Sequence, residues 1–114
     1  MRQAIDEESA LRTIDEWFRQ CCDGEWEHRY GIRIETTDNP GWLLTIADLE
    51  MTNAALSEIV GDLLRLYGAQ VATDYSMVRV YCESFQGCVK ATAALLDFGK
   101  GYEERQQKPE ESRE

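Results

Sequence analysis

The segment YGIRIETTDNPGWLLTI (residues 30–46) contains two apolar stretches joined by a turn. In the first stretch apolar or hydroxyl-bearing residues alternate with charged ones, which is the two-residue period of a strand with one solvated face. In the turn, Pro40 fixes its own φ and Gly41 can adopt the positive φ of a type II turn. The segment therefore predicts an antiparallel hairpin, with a first strand from Tyr30 and a second over residues 42–48.

Before the hairpin, apolar residues recur at the three- and four-residue spacing of a helix over residues 7–22. Asp6 is suited to the N-cap, and the two glutamates after it lie where the helix dipole favours negative charge. Gly24 is expected to follow the end of this helix. The predicted apolar face consists of Leu11, Ile14, Trp17, Phe18 and Cys21.

After the hairpin, a second helix is predicted to begin beyond a cap at Thr52 or Asn53 and to stop at Gly68. Gly61 within it costs about 1 kcal/mol relative to Ala. The apolar residues at helical spacing in this segment are Leu56, Ile59, Val60, Leu63, Leu64 and Tyr67.

A second pair of strands and a last helix complete the chain. A short strand over 70–73 and a turn over 73–76 precede a strand in which Val78, Val80 and Cys82 share one face. The last helix is predicted over 88–98, with Gly99 and Gly101 ending it. Its apolar face comprises Val89, Thr92, Ala93, Leu95, Leu96 and Phe98.

The element order is thus α-β-β-α-β-β-α, which predicts an α+β fold. Amphipathic helices and one-sided strands must cover one another, so we expect an antiparallel sheet of three to four strands with helices packed on one face. Residues 1–102 are predicted to form one domain. Residues 103–114 contain no large apolar side chain and are predicted to form a flexible charged tail.

The charge of the chain bears on its partners. With 12 Lys and Arg against 22 Asp and Glu, the net charge is −10. This charge repels phosphate backbones and anionic lipid, so nucleic acid and membrane surfaces are not expected as partners, and a basic protein is favoured. The alternative is that the acidity serves only solubility.

The N-terminus and the cysteines indicate the compartment. The first thirteen residues lack the apolar core of a secretory signal, which predicts a cytoplasmic protein. In a reducing compartment, the four residues Cys21, Cys22, Cys82 and Cys88 are expected to be thiols.

Two motifs carry a resemblance to a known family. They are CDGEWEH at residues 22–28 and DNPGW at residues 38–42, about ten residues apart, and a weaker match is FQG at 85–87 before the last helix. Together with Trp17 and Phe18, they resemble the immunity protein 53 family. The resemblance implies a small cytoplasmic protein of a bacterial polymorphic toxin system that binds and neutralises a cognate toxin without a cofactor.

The same motifs are a candidate docking surface for a basic toxin. Indoles supply large, rigid contact area, and carboxylates pair with Lys or Arg across an interface. The toxin-binding hypothesis comprises Asp23, Glu25, Trp26, Glu27, His28, Asp38, Asn39 and Trp42.

Structural roles for these residues are the alternative. The tryptophans can fill the core, Asp23 can cap a helix end, and Glu27 can hydrogen-bond to His28. Asp38 can close a turn through its side chain. In that case the toxin contacts can lie instead in residues 50–76.

Roles other than toxin binding are also considered. Cys22 and His28, the sole histidine, can form the thiolate and imidazole pair of a thiol-dependent enzyme, with Glu27 or Asp23 orienting the ring. A regulatory interaction domain without a toxin partner is a further alternative. A zinc site is not favoured, because the cysteines are adjacent or isolated and no Cys-x-x-Cys is present.

Overall fold

The computed structural model describes residues 4–38, 40–47, 49, 53–74 and 77–112. The helices are α1 (Glu7–Cys21), α2 (Trp26–Arg29), α3 (Asn53–Tyr67) and α4 (Phe85–Ser112). The strands are β1 (Ile32–Thr37), β2 (Gly41–Ile46), β3 (Gln70–Asp74) and β4 (Met77–Cys82). The α+β class and the predicted order are confirmed, with α2 as an additional one-turn helix.

The four strands form one antiparallel sheet in the order β1-β2-β4-β3. Both predicted hairpins are present, and β2 pairs with β4 to join them. The register places Leu44 opposite Val80 and Ile46 opposite Val78, and these four side chains are buried on one face of the sheet. The alternation of the sequence therefore predicts the buried face of the central strands correctly.

The helices cover this buried face, and α4 is the central one. It packs against α1, α3, β2 and β4, and its residues Leu95 and Cys88 are fully buried in the main core. Ile59 and Leu63 of α3 belong to the same core. Because α4 has neighbours on several sides, its buried surface extends around most of its circumference between 88 and 98.

The ends of α4 differ from the prediction of residues 88–98. Ser84 caps the N-terminus, since its Oγ accepts from the N–H of Gly87 at 3.0 Å, so the helix begins at Phe85. Gly99 and Gly101 do not end it, because the helix continues to Ser112. The expected flexible tail over 103–114 stays a prediction, although the backbone of 103–112 continues the helix.

Helix α1 has the predicted cap, but part of its predicted apolar face is exposed. The Asp6 carboxylate accepts from the N–H of Ser9 at 2.8 Å. Ile14 and Trp17 pack against the core, whereas Leu11 is 57% exposed and Phe18 lies at the surface. Small Ala10 is the fully buried residue of this helix, because close approach to α4 leaves little space between them.

The first hairpin differs from its prediction in two details. Strand β1 begins at Ile32, two residues after Tyr30, and β2 ends at Ile46. Gly41 lacks the expected positive φ. It is instead a position of close approach, because a Cβ there would lie 2.6 Å from the Tyr81 hydroxyl, which donates a hydrogen bond to the Pro40 carbonyl.

Helix α3 ends as predicted. Gly68 adopts a φ of 69°, and its N–H donates to the Leu64 carbonyl while that of Ala69 donates to Leu63. The proposed cap at Thr52 lies outside the described residues, and Asn53 is the first helical residue. Of the turn predicted over 73–76, residues 75 and 76 also lie outside them.

Thr92 offers a test of the α4 packing. Its hydroxyl is fully buried and has no hydrogen-bond partner among the described residues. Because an unsatisfied buried hydroxyl is costly, Thr92→Val should raise the free energy of unfolding by about 1 kcal/mol. Urea denaturation measures the change. A loss of stability would instead indicate that the hydroxyl has a partner in solution.

Within the described residues, no helix has both the length and the apolar character needed to cross a membrane.

Candidate functional site

The CDGEWEH motif forms a tight connection between α1 and α2. After α1 ends at Cys21, Gly24 adopts a φ of 97°, a conformation that favours glycine. This reverses the chain so that α2 begins at Trp26, four residues before Tyr30. The glycine therefore lies within the connection between the two helices, not at the last turn of α1.

Two carboxylates of the motif bind the backbone of this connection. One oxygen of Asp23 accepts from the N–H groups of Glu25 and Trp26, both at 2.9 Å. The two oxygens of Glu27 accept from the N–H groups of Asp23 at 3.0 Å and Gly24 at 2.8 Å. The pair thus satisfies four backbone donors at the start of α2, by the reciprocal logic of a capping box.

These hydrogen bonds stabilise the charged forms of Asp23 and Glu27 relative to their protonated forms. Donation from the Trp26 and Glu25 backbones lowers the pKa of Asp23. The pKa of Glu27 is lowered by its own backbone N–H and further by those of Asp23 and Gly24, against the effect of burial. Asp23 is not the N-cap residue of α2, which is Glu25, but its carboxylate accepts from the backbone where α2 begins. Glu27 bonds to the backbone of the connection and not to the ring of His28.

A pH experiment tests these capping carboxylates. Since their folded-state pKa values lie below the ordinary 3.8 and 4.5, they stabilise the fold above those values, and the stability is lost as pH falls through the folded-state values. We expect Asp23→Asn, which keeps an acceptor oxygen, to show less loss of stability on acidification than the wild type. Thermal unfolding between pH 7 and pH 2 measures it, and identical pH profiles would contradict the assignment.

Trp26 lies inside the molecule. It is 8% exposed, and its ring contacts Trp17 edge-on, with centroids 5.7 Å apart and planes at 83°. Phe18 and Tyr30 lie at centroid distances of 5.9 and 6.4 Å. The four rings form an aromatic cluster that attaches α2 to the last turn of α1.

Trp42 is also directed inward. It shares the face of β2 that carries Leu44, packs against the main core, and lies 4.7 Å from the ring of Phe85 at the start of α4. Trp26 is thus buried and Trp42 is partly buried. Both connect a motif to a neighbouring helix.

The other members of the hypothesised set differ in exposure. Asp23, Glu25, His28 and Asp38 are exposed, Glu27 is half-buried, and Asn39 lies outside the described residues. The toxin contact of these residues stays a prediction. The structural alternative predicts the position of Trp26 and the bonds of Asp23 better than the docking hypothesis does.

The environment of Cys22 is unlike that of a catalytic thiol. Its Sγ donates to the Phe18 carbonyl at 3.3 Å. Although Cys22 is exposed, desolvation by neighbouring protein atoms and, after it, the Glu27 carboxylate raise its pKa, which disfavours the thiolate. A catalytic thiol requires the opposite shift, because the thiolate is the nucleophile.

Two further cysteines lie in the core. No disulfide joins the four cysteines, all of which lie within the described residues. Cys82 and Cys88 are buried in the core, where the Cys88 Sγ donates to the Val80 carbonyl at 3.3 Å. A hydrogen bond with Cys88 and burial raise the pKa of Cys82. Among the described residues, no group of three or more His, Cys, Asp and Glu is arranged to hold a metal ion.

The fold and the site define a class: a small α+β domain in which the CDGEWEH motif connects two helices and Trp42 of the second motif packs against α4. The chain belongs to the immunity protein 53 family, whose sequence model matches residues 11–97. This span begins within α1 and ends within α4, so it contains both motifs and the whole sheet. No curated protein and no solved structure matches the chain.

Proposed function

We propose that the chain protects a bacterial cell by binding a cognate toxin stoichiometrically in the cytoplasm, without turnover. Membership of an immunity protein family is the observation that carries this proposal. The membership implies an immunity function and a toxin partner.

The charge of the chain supports a basic toxin. At a net charge of −10, long-range attraction accelerates encounter with a cationic protein and disfavours nucleic acid and anionic lipid. Among the motif residues, exposed Glu25, His28 and Asp38 can contribute to this attraction without disturbing the fold. Trp26 cannot contact a partner unless the aromatic cluster opens.

The state of Cys22 supports binding over thiol catalysis. The pKa of Cys22 is raised and not lowered, and its hydrogen bond engages the Phe18 carbonyl rather than an imidazole. Glu27 is engaged as a backbone acceptor, and among the described residues no carboxylate is hydrogen-bonded to the exposed imidazole of His28, as the orienting group of a catalytic triad would be.

Co-expression tests the proposal. The toxin domain encoded beside this chain's gene is expressed in a bacterium with the wild-type chain or with Cys22→Ser. We expect both to restore growth and to co-purify with the toxin, because neither the fold nor binding needs the thiol. Loss of protection by a folded Cys22→Ser variant would establish the thiol enzyme, and absence of protection by the wild type would overturn the proposal.

A further inference from the structure

Strand β1 forms an exposed edge of the sheet. It is terminal in the strand order and pairs with β2 on one side. Its central residues 33–36 are exposed. Among them Ile34 is 47% exposed, although it stands opposite the buried Leu44 on the helix-covered face. The other side of β1 is therefore accessible to a further strand.

The hydrogen bonding of the first hairpin determines which backbone groups face this free edge. The N–H of Ala47 donates to the Gly31 carbonyl at 3.1 Å, and the register continues from there with Ile32 opposite Ile46. In an antiparallel pair, residues that exchange hydrogen bonds alternate with residues that do not. Residues 33 and 35 therefore bond to β2, whereas the N–H and C=O groups of residues 32, 34 and 36 point to the free edge.

The charges on β1 are complementary to those of a second, antiparallel copy of the strand. Arg33 and Glu35 lie two residues apart, so both project from the face of the sheet that is turned away from the helices. Both are exposed, and in the part of the chain that the structure describes neither side chain belongs to an ion pair. If two β1 strands pair about a two-fold axis at Ile34, Arg33 of each copy stands opposite Glu35 of the other.

The same alignment also pairs the free backbone groups. Ile34 stands opposite Ile34 of the second copy and Ile32 opposite Thr36, so the residues whose N–H and C=O groups face the edge meet one another. An axis at residue 33 or 35 would preserve this backbone pairing, but it would set Arg33 against Arg33 or Glu35 against Glu35. Like charges directly opposite are destabilising, so the charges select the axis at Ile34.

Long-range repulsion between two acidic chains does not prevent this contact. Each chain carries a net charge of −10, but exposed charges more than about 8 Å apart are largely screened at physiological ionic strength. Side chains directly opposite on paired strands lie within that distance. The other edge strand lacks the complementarity, because Asp74 is the sole charged residue of β3.

We propose that β1 is a self-association edge, through which two copies of this chain form a two-fold symmetric dimer with one continuous sheet. Backbone hydrogen bonds join the strands, Arg33 and Glu35 pair across the axis, and the exposed Ile34 side chains meet on the helix side. An interface built on one strand pair lies at the small end of specific interfaces, so we expect a dissociation constant in the micromolar range. The inference goes beyond the proposed function and does not depend on it.

Sedimentation velocity tests the dimer, and we expect the wild type to shift from monomer to dimer between about 5 and about 500 µM. Arg33→Glu and Glu35→Arg each set like charges opposite one another twice, so each should self-associate at least about tenfold more weakly. Glu16→Arg on α1 is the matched control, since it makes the same charge change as Glu35→Arg at an exposed position outside β1. It should dimerise as the wild type does. Circular dichroism checks that each variant is folded.

Mixing the two β1 variants separates strand pairing from a general effect of charge. In the mixture, the Arg33→Glu chain presents two carboxylates to the two cations of the Glu35→Arg chain in the same register. We expect the mixed dimer to form more tightly than either variant forms its own. If net charge alone governed association, the less negative Glu35→Arg chain would instead self-associate more tightly than the mixture.

Hydrogen exchange followed by NMR gives a readout that needs no variant. As the concentration of the wild type rises, exchange at the amides of residues 32, 34 and 36 should slow more than at residues 33 and 35, which already bond to β2. A monomer at all concentrations, a dimer that both charge variants keep, or slowing without this alternation would overturn the inference. Slowing in β1 that requires added toxin would assign the edge to the toxin and also overturn it.

Discussion

Replacing Trp26 by Ala should lower the free energy of unfolding by about 3 to 5 kcal/mol, the usual effect of removing a buried aromatic side chain. The indole is 8% exposed and contacts the rings of Trp17, Phe18 and Tyr30, so its removal leaves a cavity between α1 and α2. Urea denaturation followed by circular dichroism measures the loss.

Trp26→Phe is the matched control for this prediction. It retains an aromatic ring against Trp17 and should lose much less stability than Trp26→Ala. If Trp26→Ala instead keeps the wild-type unfolding midpoint and loses toxin binding, the indole is a docking residue and its position inside the aromatic cluster is wrong.

Leu95→Ala should cost about 2 to 5 kcal/mol, because large-to-small substitutions at fully buried positions lose both transfer free energy and packing. Leu95 is fully buried on α4, where the sheet and the other long helices converge. The same urea experiment measures the change in the unfolding midpoint.

Leu11→Ala is the matched control, since it removes the same atoms from a side chain that is 57% exposed. It should change the free energy of unfolding by no more than about 0.5 kcal/mol, as is usual for surface substitutions. Equal losses from the two variants would contradict the observed orientation of α1 on α4, with Ala10 and Ile14 turned inward.

The sheet was predictable from the sequence because its signal is short-range. Alternation places Val78, Val80 and Cys82 on one face whatever the rest of the chain does, and all three are buried. Asp6 and Gly68 likewise mark helix ends through local hydrogen bonding and backbone conformation. The pairing of β2 with β4 needs contacts between distant residues, which no local pattern specifies.

The structure contradicts the predictions made for Gly99, Leu11 and Gly41, and in each case the reason is a tertiary contact. Packing of α4 against the sheet, α1 and α3 offsets the low helix propensity of Gly99, so the helix does not stop where glycine suggested. Leu11 satisfies the helical period but lies outside the strip that α4 covers. Gly41 is required by the nearby Tyr81 ring and not by its own φ, and only the fold brings these residues together.

The structural roles of the motif residues were only partly predictable from the sequence. Acidic residues around a glycine are typical both of a helix cap and of a docking surface. Which of the two they form depends on whether the Trp26 side chain packs inside the molecule or lies at its surface. The backward reach of Glu27 to the N–H groups of Asp23 and Gly24 has a sequence signal, an acid three to four residues after them.

In the proposed function, protection follows from one-to-one binding of the toxin by this chain. The most direct measurement is residual toxin activity against the molar ratio of this chain to the toxin domain encoded beside its gene. Stoichiometric binding predicts a linear decrease that reaches zero at one equivalent and does not change with incubation time. Complete inactivation by a small fraction of an equivalent, progressing with time, would show turnover and contradict the claim.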